Sequence, residues 1–104
     1  MSQVPLAKPQ LAAIAEACRQ HHVARMHAFG SCLRSDYRPG ESDIDLLVEF
    51  EPLEPAALVG VYFDLERQLA AITGCPVDLV MADAVRNPYV RAGIEASKQL
   101  IYEA

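Results

Sequence analysis

Basic residues are scarce in this chain: nine Lys and Arg stand against fourteen Asp and Glu, for a formal net charge of −5. A protein that grips a long duplex needs a basic stripe to neutralise phosphates. The cations here are scattered from Lys8 to Lys98 and form none. No nucleic-acid template is therefore expected, and any nucleotide handled here would be a free one. Cysteine is scarce as well. Cys18, Cys32 and Cys75 are odd in number, widely spaced and without a CxxC pair, which argues against a disulfide framework or a zinc site and suits a reducing cytoplasm. No apolar run nears the ~20 residues that span a bilayer, and the opening MSQVPLAKPQ lacks the apolar stretch of a signal peptide. Neither a membrane segment nor export is expected.

What is present reads as a globular protein. Hydrophobic residues make up 52% and charged residues 22% of the 104 positions, enough for one core and one domain, 1–104, but few for an enzyme that encloses its substrate alone. Leu11, Ile14, Ala15 and Cys18 fall at helical spacing behind Pro9, a first-turn residue, and His21 and His22 close that helix where a cation complements the dipole. A strand is expected over 23–29, ending at Gly30-Ser31. The interval 31–42 is polar, with a turn at Pro39-Gly40. A second strand is expected over 43–50 and a loop over 51–55, where Pro52 and Pro55 interrupt the chain. Leu58, Val61, Tyr62, Leu65, Leu69 and Ile72 then make the core stripe of an amphipathic helix, with Gly74 as its stop and Pro76 beyond. A third strand over 77–81, a helix over 88–98 and a last strand over 100–102 complete the order α-β-(α)-β-α-β-α-β. The expected class is α/β (α+β), a small mixed sheet of about four strands covered by helices.

Strand alternation places the chemistry. Asp43 and Asp45, two apart, share one face, while Ile44, Leu46, Val48 and Phe50 supply the core from the other. Two carboxylates held together repel each other, and a shared cation keeps both ionised. Asp78, between Val77 and Leu79, is expected on a neighbouring strand. Three carboxylates converging on one point would hold two Mg²⁺ about 3.5–4 Å apart, one activating a hydroxyl and one neutralising leaving phosphates. Gly30-Ser31, ending a strand and opening a helix, offers backbone N–H groups and a hydroxyl as a phosphate cradle. Each feature is common by itself. An Asp-x-Asp often just opens a turn, and Gly-Ser is a frequent turn pair. Their combination is specific.

Phe29-Gly30-Ser31, the following Arg34, Ser42-Asp43-Ile44-Asp45-Leu46 and Val77-Asp78-Leu79 together resemble the polymerase-beta superfamily of nucleotidyltransferases. The small size and the run SDIDLLVEFEP resemble, more closely, the minimal nucleotidyltransferase (MNT) antitoxins that pair with HEPN-domain toxins. The resemblance extends from about Val23 to the end of the chain. It implies a polymerase-beta-like fold, metal ligation by Asp43, Asp45 and Asp78, and contacts from Gly30, Ser31 and Arg34 to the triphosphate. It also implies an activity: transfer of AMP from ATP to a tyrosine of a HEPN toxin, which blocks the toxin's ribonuclease. The run Gly30-Ser31-Cys32-Leu33-Arg34-Ser35 departs from the family's Gly-Ser-x-Ala-Arg-Gly. Arg34 is kept, and Leu33 and Ser35 replace small residues, a change that bears on nucleotide fit.

Two other functions compete. A small-molecule acceptor, as in the antibiotic nucleotidyltransferases, calls for a further helical domain to complete its site. A non-catalytic antitoxin would act by occlusion, its carboxylates vestigial. The remaining polar residues have plainer readings: Cys32 as a small space-filler, His27 as a packed strand residue, Asp36 and Glu41 as solvated. Glu49, Glu51 and Glu54 form an acidic rim, by default solvated, that could meet a basic partner surface.

Overall fold

The computed structural model describes residues 6–30 and 43–104. Helix α1 spans Lys8–Gln20, with Pro9 in its first turn and the Gln10 side chain reaching back to accept from the Ala7 N–H at 3.0 Å. Its Ile14, Ala17 and Cys18 are buried. It ends at His21, and His22 takes a left-handed φ of 58°, turning the chain into strand β1, Val23–Phe29. Strand β2, Ile44–Phe50, is followed by helix α2, Pro55–Thr73. Pro55 opens this helix instead of belonging to the preceding loop: its fixed φ suits the first turn, where the missing N–H costs nothing. Gly74, at φ 70°, stops the helix in the left-handed region, its N–H donating to the Ala70 carbonyl at 2.8 Å. Strand β3, Val77–Met81, a 3₁₀ turn at Ala82–Ala84, helix α3, Pro88–Ser97, and strand β4, Gln99–Glu103, complete the described chain. Asn87 caps α3, its side chain accepting from the Tyr89 and Val90 N–H groups. The expected helix in the polar interval, and the turn at Pro39-Gly40, lie outside the described residues.

The four strands form one mixed sheet in the order β3-β2-β1-β4. β1 runs antiparallel to β2 and to β4, whereas β2 and β3 are parallel, joined through α2. A parallel neighbour needs a crossover, and the 19-residue α2 provides it. Ile44, Leu46 and Val48 of β2, Met26 and Ala28 of β1 and Leu79 of β3 face a common core with α1 and α2. Leu65 and Leu69 of α2 are fully buried there; each contributes roughly 1.5–3 kcal/mol by leaving water. Tyr62 and Ile72 of the expected stripe pack against this core partly buried. Burial pushes the Cys18 thiol up to about 12, so it stays protonated and serves as a small apolar group beside the Met26 sulfur.

Two polar contacts tie the helices to this frame. Tyr62 on α2 donates its hydroxyl to the Leu79 carbonyl of edge strand β3, satisfying a group the sheet leaves unpaired. His21 joins α1 to α2: its Nδ1 donates to the Ala17 carbonyl at 2.7 Å, and its Nε2 lies 2.6 Å from the Asp64 carboxylate. Gln68 donates to the same carboxylate oxygen at 3.1 Å.

The bond from His21 foremost, and then that from Arg67 at 3.2 Å, hold the Asp64 carboxyl below its ordinary value of 3.8. A depressed carboxylate stabilises the fold at neutral pH, and that stability is lost as the pH falls through the folded value. Asp64→Asn should therefore lower the melting temperature at pH 7 and leave a shallower acid slope below about pH 4 than in the original chain. Parallel melting-temperature profiles for the two proteins would contradict this role.

Candidate active site

The register of β2 and β3 sets the geometry. Asp45 is the direct parallel partner of Asp78, one step after Ile44 pairs with Val77. Paired residues point to the same side of a sheet, so these two carboxylates stand together on the face opposite the α1–α2 core. Neighbouring strands lie ~4.8 Å apart; two full charges at about 5 Å repel by roughly 0.8 kcal/mol in water and about 3 kcal/mol at a protein-surface dielectric. Asp78 is exposed and Asp45 half-buried, so a ligand can reach both. Asp43 lies one residue before β2 and is exposed.

Gly30 closes the site on its other side. β1 runs antiparallel beside β2, with Phe29 opposite Asp45. The next residue, Gly30, turns with φ 73°, a conformation other L-residues rarely adopt. A Cβ at this position would meet the Asp45 Oδ2 at 2.5 Å. The torsion favours glycine here, and any side chain would also have to displace the Asp45 carboxylate. Backbone N–H groups can approach the carboxylate side of the sheet only because the side chain is absent. Ser31 and Arg34, expected to help hold phosphate, lie outside the described residues, as do Cys32, Leu33, Ser35, Asp36 and Glu41.

Among the described residues, no three His, Cys, Asp or Glu side chains form a ready-made metal cluster. The backbone nevertheless places Asp45 and Asp78 at one point, with Asp43 two residues ahead of Asp45. All-oxygen carboxylate donors on an exposed rim suit a hard, partly hydrated cation such as Mg²⁺.

The rest of that face is structural. Leu47, two residues after Asp45, is buried beneath α3, where it and Ile94 line a small hollow. Sequence alternation alone assigned it no core role; α3 crossing the sheet gives it one. His27, paired with Leu47 and Leu100, is a packed strand residue as expected. Its Nδ1 is buried without a hydrogen-bond partner among the described residues, and burial above all, then the nearby Lys98 charge, holds its pKa down.

Tyr62 is a link that the sequence did not announce. Its phenol pKa is raised by burial first, then by the charges of Glu66 and Asp78. The face of α2 beside β3 is therefore within electrostatic reach of Asp78. No local pattern distinguishes Tyr62 from any other stripe residue; only the pairing of α2 with the β3 edge reveals it.

Comparison with known proteins bears on the family and the fold. A candidate protein adenylyltransferase of Methanocaldococcus jannaschii is 40% identical over 83 residues, which span 80% of this chain and 79% of the relative. The protein adenylyltransferase MntA of Thermococcus cleftensis is 37% identical over 65 residues, 62% of each chain. Among solved structures, a candidate minimal nucleotidyltransferase superposes with a TM-score of 0.72 at 27% identity, over 95% of both chains. The fold also matches, with a TM-score of 0.63 at 19% identity over 93% of this chain and 72% of that one, the complex of a tri-AMPylated Shewanella oneidensis HEPN toxin with its MNT antitoxin. The nucleotidyltransferase domain family matches residues 11–101, nearly the whole of the sheet and its helices, and the chain belongs to that family.

Proposed function

We propose that this chain is a Mg²⁺-dependent protein adenylyltransferase that moves AMP from ATP to a tyrosine hydroxyl of a HEPN-type toxin and so neutralises it in the cytoplasm. The observation that carries the reading is the in-register pair Asp45 and Asp78, with Gly30 pressed against Asp45. Similar chains are named as protein adenylyltransferases, and similar folds occur in complexes of MNT antitoxin with HEPN toxin and of a toxin–antitoxin pair with AMP-PNP. No helix of the described residues is long and apolar enough to cross a membrane.

In this reading Asp43, Asp45 and Asp78 hold the metal, and Gly30, Ser31 and Arg34 receive the triphosphate. Mg²⁺ bound there supplies positive charge to the phosphates and acidifies the attacking hydroxyl. The acceptor oxygen bonds to the α-phosphorus as the bond to the bridging oxygen breaks. Pyrophosphate leaves, and the phenolic proton passes to water. The chain's own contribution is placement: β2 and β3 hold the carboxylates rigidly, and the turn at Gly30 brings backbone donors to the phosphates. The AMP group then adds negative charge to the toxin where RNA would bind.

The carboxylate pair yields a test in two parts. Asp45→Asn and Asp78→Asn should each lower AMP transfer by several orders of magnitude. Asp78→Asn should also lose the stabilisation that added Mg²⁺ gives the original chain. Unchanged transfer in either variant, or Mg²⁺ stabilisation that survives Asp78→Asn, would sink the metal assignment.

Gly30→Ala should weaken ATP binding at least tenfold, because the methyl must displace the Asp45 carboxylate and strain a left-handed turn. Calorimetry showing unchanged ATP affinity in a folded variant would remove Gly30 from the site.

Co-expression with the HEPN-type protein of the same genome should give a partner heavier by one or more AMP units in intact-mass spectra, and Asp45→Asn should abolish the shift. A partner that stays unmodified yet is neutralised in a stable complex would establish occlusion in place of catalysis.

A further inference from the structure

The outer surface beside β3 carries a feature that catalysis does not use. Leu58, Val59, Tyr62 and Phe63 of α2 and Met81 at the end of β3 line an apolar groove of about 190 Å³. Val59 and Phe63 are 58% and 54% exposed, large apolar side chains left in water. Phe63 is held edge-on to Tyr62, ring centres 5.2 Å apart, and Tyr62 is anchored to the Leu79 carbonyl, so the groove is built on fixed side chains. A second hollow of about 190 Å³ shares Leu58 and Met81 and is rimmed by Glu49, Glu51 and Asp83. Glu49 is matched by Arg25 at 3.3 Å, whereas Glu51 and Asp83 have no ion pair among the described residues.

We propose that this continuous groove, apolar in its floor and acidic along its rim, is the docking surface for the protein whose hydroxyl is modified, occupied by an amphipathic segment with an apolar stripe flanked by Lys and Arg. The inference rests on the transferase reading above and names the surface through which the protein substrate is held. Charge complementarity selects the occupant. An acidic rim repels phosphate backbones and acidic membranes, and attracts a basic protein surface such as one that binds RNA. The groove lies on the α2 side of the sheet, opposite the carboxylates, with Met81 three residues and ~10 Å beyond Asp78 along β3, a span that a docked domain covers by reaching around the β3 edge. Apolar side chains exposed together and rimmed by charge mark interaction surfaces in general.

The test uses the full chain with the HEPN-type protein of its own genome as probe. Phe63→Glu with Val59→Glu changes only exposed positions, and circular dichroism checks the fold. Calorimetry should show the partner bound at least tenfold more weakly, and KM for the protein acceptor should rise on the same order, with kcat and KM for ATP unchanged. Glu51→Lys with Asp83→Lys should also weaken binding and flatten its dependence on salt. Unchanged partner affinity in the glutamate variant would overturn the docking surface while leaving the transferase reading intact. Weakened binding without any AMP transfer by the original chain would keep the docking surface and sink the transferase reading. No complex between the original chain and the probe would overturn the docking proposal. Light scattering that shows a dimer of the chain alone, made monomeric by Phe63→Glu, would assign the groove to a second copy and overturn it too.

Discussion

The parallel pairing of β2 with β3 is the constraint on which the rest depends. It sets Asp45 against Asp78, two like charges side by side on neighbouring strands. The pairing cannot slip to relieve them. A one-residue shift would turn Leu79 out of the core and put Asp78 into it. Leu46, Val48 and Leu79 are all nearly or fully buried, and their burial far outweighs a repulsion of about 3 kcal/mol or less. The apolar face thus holds two carboxylates side by side on the other face.

The same economy appears around the pair. α2 is the crossover that makes β3 parallel, and it also caps the β3 edge through Tyr62. One helix therefore closes the core, protects the edge strand and carries the exposed groove beside the site. α1 contributes only to the core, where His21 fastens it to α2 through Asp64. Position in the fold separates the groups: the polar tie of His21 to Asp64 joins helices, while Asp45 and Asp78 stand together at one end of the sheet. The second face of the sheet carries packing as well as charge: the carboxylates stand at one end, and Leu47 and Ile94 are buried further along.

Much of this was legible beforehand. Strands β1 and β3 fall at the expected residues, and β2 begins one residue later than expected, because alternation and bounding Gly, Pro and polar runs are local signals. The α2 stripe and its Gly74 stop were equally plain, since 3.6-residue periodicity and a left-handed terminus need no tertiary information. Less legible were Pro55, which serves as a helix start, and Leu47, which is buried only because α3 crosses the sheet. Both outcomes depend on what the neighbouring element does.

The sequence by itself determined which residues could do chemistry. Asp-x-Asp on one strand face, a lone Asp between apolar residues and a glycine at a strand end are chemical facts readable in order along the chain. Tertiary structure alone decided that they meet. Asp45 and Asp78 lie 33 positions apart, and only the α2 crossover brings them into register. The left-handed φ at position 30 is a local demand for glycine, but its close approach to the Asp45 carboxylate comes from another strand. The groove beside β3 likewise needed two elements, α2 and the strand end, to exist at all. Local patterning reports which face a side chain takes; the distance between faces is set by long-range packing, which no short window of sequence contains.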